Sequence, residues 1–296
     1  GGDLLNDMIA DAKPIVPSTL VPFSAIPERT RQYVSSGWSG LDPHLKIARP
    51  ELMVITGPPG DGKSQIALAL GANLARMHDW RGAILQFEDD VERHRLDLMR
   101  YWLHHNGGGD PRQASPERKA AAAAWMDKHF LTISPDEGED DSVFDLAWLK
   151  GRIAEAARLG CGWMLIDPCN EVEHLWGKGL TENQYLNDAL REIRRLGRRH
   201  RIVIIIVTHP DKASGRERDI DEWSLYAVSG GQTWNNKADH GIVLLRPDKK
   251  IGNNDCFFKI SKSRQHAHMG HPGTAIMRYV PLAGTFEFID IVKPKS

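Results

Sequence analysis

Hydrophobic positions along the chain fall into short runs separated by longer stretches of helical spacing. The runs at 52–56, 163–166 and 202–207 are continuously apolar, as expected for strands covered on both faces. Strands are predicted over 52–56, 83–87, 130–134, 162–167, 202–208, 241–246, 256–261 and 274–279. Helices are predicted over 63–78, 90–105, 115–129, 143–159 and 182–200. Regular alternation of the two implies an α/β fold, a doubly wound and mainly parallel sheet with ligands at the strands' carboxyl ends. The last strands follow one another without long helices, so antiparallel C-terminal strands are expected. Ahead of this pattern, Leu4, Leu5, Met8 and Ile9 sit at helical spacing, and 14–27 is rich in proline and reads as an extended linker. The expected organisation is an N-terminal linker helix and linker over 1–32 and one domain over 33–296.

Chemistry enters where the first strong strand ends. Residues 57–64 read GPPGDGKS, a complete G-x-x-x-x-G-K-[ST] phosphate loop between the run 52–56 and the helix-forming run 65–70. Gly57 and Gly62 allow backbone geometry that a side chain would block. The N–H groups of Pro58–Asp61's turn and of the helix start point toward phosphate oxygens: Gly60, Asp61 and Gly62 carry them, with Pro58 and Pro59 shaping the loop. Lys63 reaches the terminal phosphates and the Ser64 hydroxyl binds Mg²⁺. The chain is therefore expected to bind ATP, or another NTP or dNTP, with Mg²⁺.

Three strand tips extend this site. The apolar run before Asp167 places a carboxylate where it positions Mg²⁺. Glu88 ends the strand 83–87 and is the candidate base for the attacking water, while Asp89 and Asp90 suit the cap of the following helix. His209 follows Val207 and Thr208 and is the candidate sensor of the terminal phosphate.

The order of these motifs is specific. GWSGLD at 37–42, then GPPGDGKS, QFEDD, MLID, VTHP, GGQTWNNKADHGIVLL and KISKSR resemble the RecA-like core of superfamily 4 replicative helicases, nearest the Twinkle and phage primase-helicase branch, over about residues 33–289. The resemblance implies a RecA-like P-loop NTPase that assembles as a homo-oligomer, a hexameric ring, and translocates 5′ to 3′ on single-stranded DNA, with a primase domain or partner possible. It also implies roles. Glu88 matches the catalytic glutamate, Asp167 the metal-positioning aspartate and His209 the phosphate sensor. Lys262 and Arg264 match the basic pair that reaches the neighbouring subunit's nucleotide. Arg246 and Tyr279 match positions that sandwich the base, where a guanidinium and an aromatic ring stack on its two faces. The DNA-contacting loops fall within 170–181 and 211–230, with Lys212, Ser229, Gly230 and Gly231 as the contacts. Where the family often has Gln, three residues before Asp239, this chain has Asn236; Gln232 is the other candidate for coupling nucleotide to DNA.

Composition narrows the setting. A net charge of -1 provides no global basic field, so nucleic-acid contact must come from loops summed around an assembly. Five arginines, Arg191, Arg194, Arg195, Arg198 and Arg199, crowd one helix and read as a solvated or subunit-contacting face. The acidic loop 136–141 reads as solvated. Cys161, Cys169 and Cys256 lie at unrelated spacings that form neither a disulfide framework nor a zinc site, which suits a reducing, cytoplasmic setting. His266, His268 and His271 lack a Cys or carboxylate partner for a metal. No apolar stretch approaches the roughly 20 residues of a membrane span. The chain starts at Gly1-Gly2-Asp3 without an initiator Met, which leaves room for an upstream domain. A RecA/RadA-type recombinase and a nucleotide-gated loader or assembly switch remain alternatives at this stage.

Overall fold

The computed structural model describes residues 20–26, 31–87, 91–133, 145–168, 182–211, 219–247 and 253–293. The chain divides into two units, Gly1–Arg31 and Gln32–Ser296. Of the first, the described part is a single 3₁₀ turn, Phe23–Ala25, with Leu20, Val21 and Phe23 exposed. The amphipathic segment expected at residues 4–9 and the acidic loop at 136–141 lie outside the described residues.

The second unit is built on a nine-stranded sheet. In chain order its elements are β1 (Val34–Ser35), β2 (Lys46–Ile47), β3 (Leu52–Thr56), α1 (Lys63–His78), β4 (Arg81–Gln86), α2 (Val91–His105), α3 (Pro116–His129), β5 (Phe130–Ile133), α4 (Leu146–Arg158), β6 (Cys161–Asp167), α5 (Glu182–His200), β7 (Val203–Val207), α6 (Gly231–Lys237), β8 (His240–Leu245), β9 (Asp255–Ser263), α7 (His266–Met269), β10 (Gly273–Val280) and β11 (Thr285–Ile291). β1 and β2 form a small antiparallel pair; the rest form one sheet in the order β11-β10-β9-β8-β3-β7-β6-β4-β5. From β8 to β5 every neighbour is parallel, and from β8 to β11 every neighbour is antiparallel. The fold is thus α/β with a mainly parallel sheet and antiparallel C-terminal strands, as the sequence pattern indicates.

The central strands show why their sequences carry no alternation. In β3, Met53 and Ile55 join the core under α1, α2 and α3, whereas Leu52 and Val54 join the core under α4 and α5. β7 divides likewise, Val203, Ile205 and Val207 to one face and Ile204 and Ile206 to the other. Period two survives in the packing and vanishes from the hydropathy, because both faces are dry. Helix starts follow local chemistry: Ser115 caps α3 ahead of Pro116, and the Asp145 carboxylate accepts from the Trp148 N–H at 2.7 Å to start α4.

Three features depart from the sequence reading. β11 was not anticipated, although Phe286, Glu287 and Phe288 alternate in the manner of an edge strand. α6 is short and polar; it starts at Gly230, whose φ of +67° is a left-handed cap, and is pinned by buried Trp234. Arg194 corrects the reading of the arginine-rich helix. Arg191 and Arg195 are exposed, but the Arg194 side chain is 17% exposed and pairs with Asp239 at 2.7 Å. The three histidines near 270 are exposed, with the ring of His268 stacked on Tyr33 at 5.4 Å between centroids and those of His266 and His271 5.2 Å apart.

Trp163 on β6 is fully buried, and two glycines make room for it. A Cβ on Gly82 of β4 would lie 1.9 Å from its ring, and one on Gly71 of α1 would lie 2.4 Å away. The rigid indole and both backbones are held by neighbouring strands and helix, so the clash has no cheap relief. Gly82→Ala is expected to destabilise the domain by about 1–3 kcal/mol or more, read as a lowered midpoint in denaturant titration.

Candidate nucleotide site

The phosphate loop leaves β3 at its carboxyl end, and the loop's shape follows from what surrounds it. Gly57 has φ +148°, and a Cβ there would sit 2.0 Å from the Leu244 carbonyl oxygen of β8, so only glycine fits. Gly62 is left-handed, with φ +94°, and opens α1 as a cap residue without a side chain. Lys63 is buried, and its ammonium donates to the Gly57 and Pro58 carbonyls at 2.8 and 3.1 Å. The loop therefore curls around its own lysine. Asp61 accepts the main-chain N–H of Arg246 at 2.9 Å, which ties the loop's tip to the end of β8.

A cavity of about 400 Å³ opens over this loop. It brings together most of the residues singled out from the sequence: Pro59, Gly60, Asp61, Gly62, Lys63 and Ser64 from the loop, Asp167 from the tip of β6, and His209 beyond β7. Arg246 and Tyr279 line it from the antiparallel side. Gly57 and Pro58 do not line it and contribute the carbonyls that hold Lys63. Parallel strands explain the convergence. β4 and β6 run side by side, and the Phe87 N–H donates to the Asp167 carbonyl at 3.1 Å, so their ends reach the same rim. The Thr208 N–H donates to Ile55, which brings the end of β7 beside the end of β3. Glu88, Lys212 and the loop at 169–181 lie outside the described residues.

Residues the sequence reading missed complete the wall: Arg93 from α2, Asn254 and Cys256 at the start of β9, and Phe286 from β11. Phe286 packs against Tyr279 with centroids 5.0 Å apart. The Arg246 guanidinium donates to the Asn253 carbonyl and, at 3.4 Å, to the Asn254 side chain. Burial raises the Tyr279 phenol above its usual range, helped by the charge of Asp97 and opposed by Arg100 and Arg93. Only Phe286 carries a local signal, the alternation of β11; the others depend on which strand ends meet.

Lys262 and Arg264 do not line this cavity. β9 runs antiparallel to β8, with Cys256 at the cavity end and Ser263 opposite His240 at the far end. The eight residues from Cys256 to Arg264 span about 26 Å, beyond the reach of an arginine side chain. A bulge sits in this strand, where Gly241 opposes Lys262 but Ile242 opposes Ile260. The extra residue, Ser261, donates its hydroxyl to the Gly241 carbonyl at 3.0 Å. It shifts the parity of burial, from Cys256, Phe258 and Ile260 to Ser263, and so keeps Lys262 and Arg264 out of the core.

The expected DNA-contacting glycines have a packing role. A Cβ on Gly230 would lie 2.6 Å from Leu186, and one on Gly231 would lie 2.6 Å from the Tyr226 backbone. Ser229 is exposed beside them.

A glycine-rich loop between a parallel strand and a helix, with a carboxylate on the second strand along and a basic-aromatic wall opposite, defines a P-loop nucleotide-binding ATPase domain of RecA-like form. A family model described as "AAA domain" matches residues 28–215, and the chain belongs to that family. It is similar to the Twinkle homolog protein, chloroplastic/mitochondrial, of Arabidopsis thaliana, 28% identical over 308 aligned positions covering 97% of this chain. The chain spans 42% of that relative's length. Among solved structures, the ATPase domain of G40P aligns with TM-score 0.66 at 15% identity, over 87% of this chain and 91% of its own. A DnaB-like replicative helicase, described with its interactions with primase, aligns with TM-score 0.65 at 16% identity, over 86% of this chain and 61% of its own. The chain thus belongs to the AAA family and shares its fold with the ATPase domains of DnaB-like helicases. No helix among the described residues is long and apolar enough to cross a membrane.

Cys256 offers a check on the cavity wall. Burial pushes its thiol up to about 12, and that of Cys161 up to about 11, so neither forms the reactive thiolate near neutral pH. Both are expected to resist an aromatic disulfide reagent at pH 8 in the native protein and to react on unfolding, as read by thiol release.

Proposed function

We propose that the chain is the motor domain of a ring-forming helicase that hydrolyses Mg-NTP at subunit interfaces and translocates 5′ to 3′ on single-stranded DNA. The observation that carries this reading is the separation of Arg264 from the phosphate loop of its own chain. An arginine of the helicase motif that cannot serve its own site is suited to serve another's.

In this mechanism the N–H groups at the start of α1, which follows Gly62, and the Lys63 ammonium hold the phosphates, with Lys63 exchanging its carbonyl partners for phosphate oxygens. Ser64 and Asp167 both face the cavity, a hydroxyl and a carboxylate suited to Mg²⁺. Magnesium bound there supplies positive charge beside the terminal phosphates. Glu88 takes a proton from water as its oxygen attacks the γ-phosphorus and the bond to the nucleoside diphosphate oxygen breaks. His209 contacts the γ-phosphate and registers its loss. Arg246 and Tyr279 enclose the base. Lys262 and Arg264 of the adjacent subunit neutralise charge in the transition state. Lys212, Ser229, Gly230 and Gly231 contact the DNA backbone, and contacts summed around a ring reconcile DNA binding with near-zero net charge. A primase, in the same polypeptide or as a partner, is the natural associate, since the DnaB-like relative is described with one.

Arg264→Ala is expected to lower turnover by on the order of 10³-fold or more while leaving nucleotide affinity nearly intact, measured by phosphate release and by titration with a fluorescent nucleotide. Full turnover in that variant removes the claim of action across the interface. The helicase reading itself is tested by NTP hydrolysis with and without single-stranded DNA on material whose assembly is imaged. Closed rings with DNA-stimulated turnover are expected; filaments with strand exchange indicate a recombinase, and turnover indifferent to DNA indicates an assembly switch.

A further inference from the structure

Arg264 is held from several sides, and the holder at the centre is Asp239, at the amino-terminal rim of the parallel strands. Its Oδ2 accepts the Leu52 N–H at 3.0 Å, and its own N–H donates to the Leu52 carbonyl at 2.7 Å, so the carboxylate is fixed to the start of β3. Its Oδ1 takes two guanidinium groups: Arg194 Nη2 from α5 at 2.7 Å and Arg264 Nε at 3.2 Å. The Asp239 carbonyl also accepts the Arg264 N–H at 3.0 Å. Beyond it, Arg264 Nη2 donates to the Asn236 and Ala238 carbonyls at 2.7 and 3.3 Å, and the Lys262 ammonium donates to the Asn235 carbonyl. Those acceptors lie at the carboxyl end of α6, where the helix dipole favours cations.

We propose that Asp239 is the positioning residue for Arg264, fixing the direction in which its guanidinium meets the neighbouring subunit's nucleotide. The inference rests on the function proposed above. With Nε and Nη2 committed, the planar guanidinium loses most of its rotational freedom and presents its remaining edge outward, about a third of the side chain being exposed. Preorganisation of this kind aims a charge before the transition state forms, so its loss falls on turnover rather than on nucleotide affinity. Arg194 belongs to the same device. It is the more buried of the two partners of Oδ1, 17% exposed against 34% for Arg264. Three cations, Arg194, Lys262 and Arg264, face one carboxylate, which leaves the cluster with surplus positive charge for a polyphosphate. Burial lowers the pKa of both Arg194 and Lys262, with Arg264 lowering each further and Asp239 opposing.

The test uses subunit mixing. Asp239→Asn keeps an oxygen for the Leu52 N–H and removes the charge. Because this strands Arg194, the double variant D239N/R194Q, which removes both members of the pair, guards against failure to fold. Either variant alone is expected to turn over at least about tenfold more slowly than wild type while binding a fluorescent nucleotide with little change. Mixed with Lys63→Ala subunits, which lack a working loop but donate an intact Arg264, the variant's own sites should recover turnover. Wild-type turnover in the variants alone overturns the proposal, as does loss of nucleotide binding in both, which would make Asp239 a folding residue. A parallel mixture of Arg264→Ala with Lys63→Ala separates the two levels. If that control recovers and the Asp239 mixture does not, positioning is wrong and action across the interface stands. If neither recovers, action across the interface fails and the proposal fails with it.

Discussion

The direction of β3 is the constraint on which the rest depends. It lies in the middle of the sheet, parallel to β7 on one side and β8 on the other, and is buried on both faces. Every parallel neighbour delivers its carboxyl end to the same rim, so Gly57, Asp167, His209 and Arg246 meet there although they are scattered over nearly 190 positions of sequence. The opposite rim gathers what precedes those strands. Asp239 grips Leu52 there, and beside it Glu51 and His240 form a fully buried pair 3.2 Å apart. One rim is concave and offered to a ligand; the other is braced by side chains on main-chain groups.

Much of this was legible because the relevant signals are local. The phosphate loop needs its glycines, lysine and hydroxyl at fixed offsets, and the structure shows why: Gly57 passes within a Cβ's radius of Leu244. Strands with two dry faces announce themselves as unbroken apolar runs. The boundary of α1 was readable to the residue, since the loop sets its start and Asp79, with positive φ, ends it.

What escaped the sequence depends on contacts between distant segments. Arg194 looks identical to Arg191 and Arg195 along the helix, and only the approach of Asp239, 45 positions on, turns it inward. α6 has weak intrinsic helicity and exists because Gly230 caps it and Trp234 anchors it, burying its indole and donating to the Ser229 carbonyl at 3.0 Å. Arg93 and Asn254 join the nucleotide wall because α2 and β9 happen to converge on it. Nor does any local pattern show that Gly230 packs against Leu186 and Gly231 against the Tyr226 backbone.

The bulge at Ser261 gives β9 a double identity. Before it, the strand is an ordinary member of its own sheet, with Cys256 near its start in the wall of the cavity. After it, the parity of burial changes, and Lys262 and Arg264 stay outside the core. One surplus residue thus works as a hinge in register rather than in space, with no loop and no change of direction. A single continuous strand thereby sets Cys256 in the cavity wall at one end and the cations Lys262 and Arg264 at the other, Arg264 about 26 Å away.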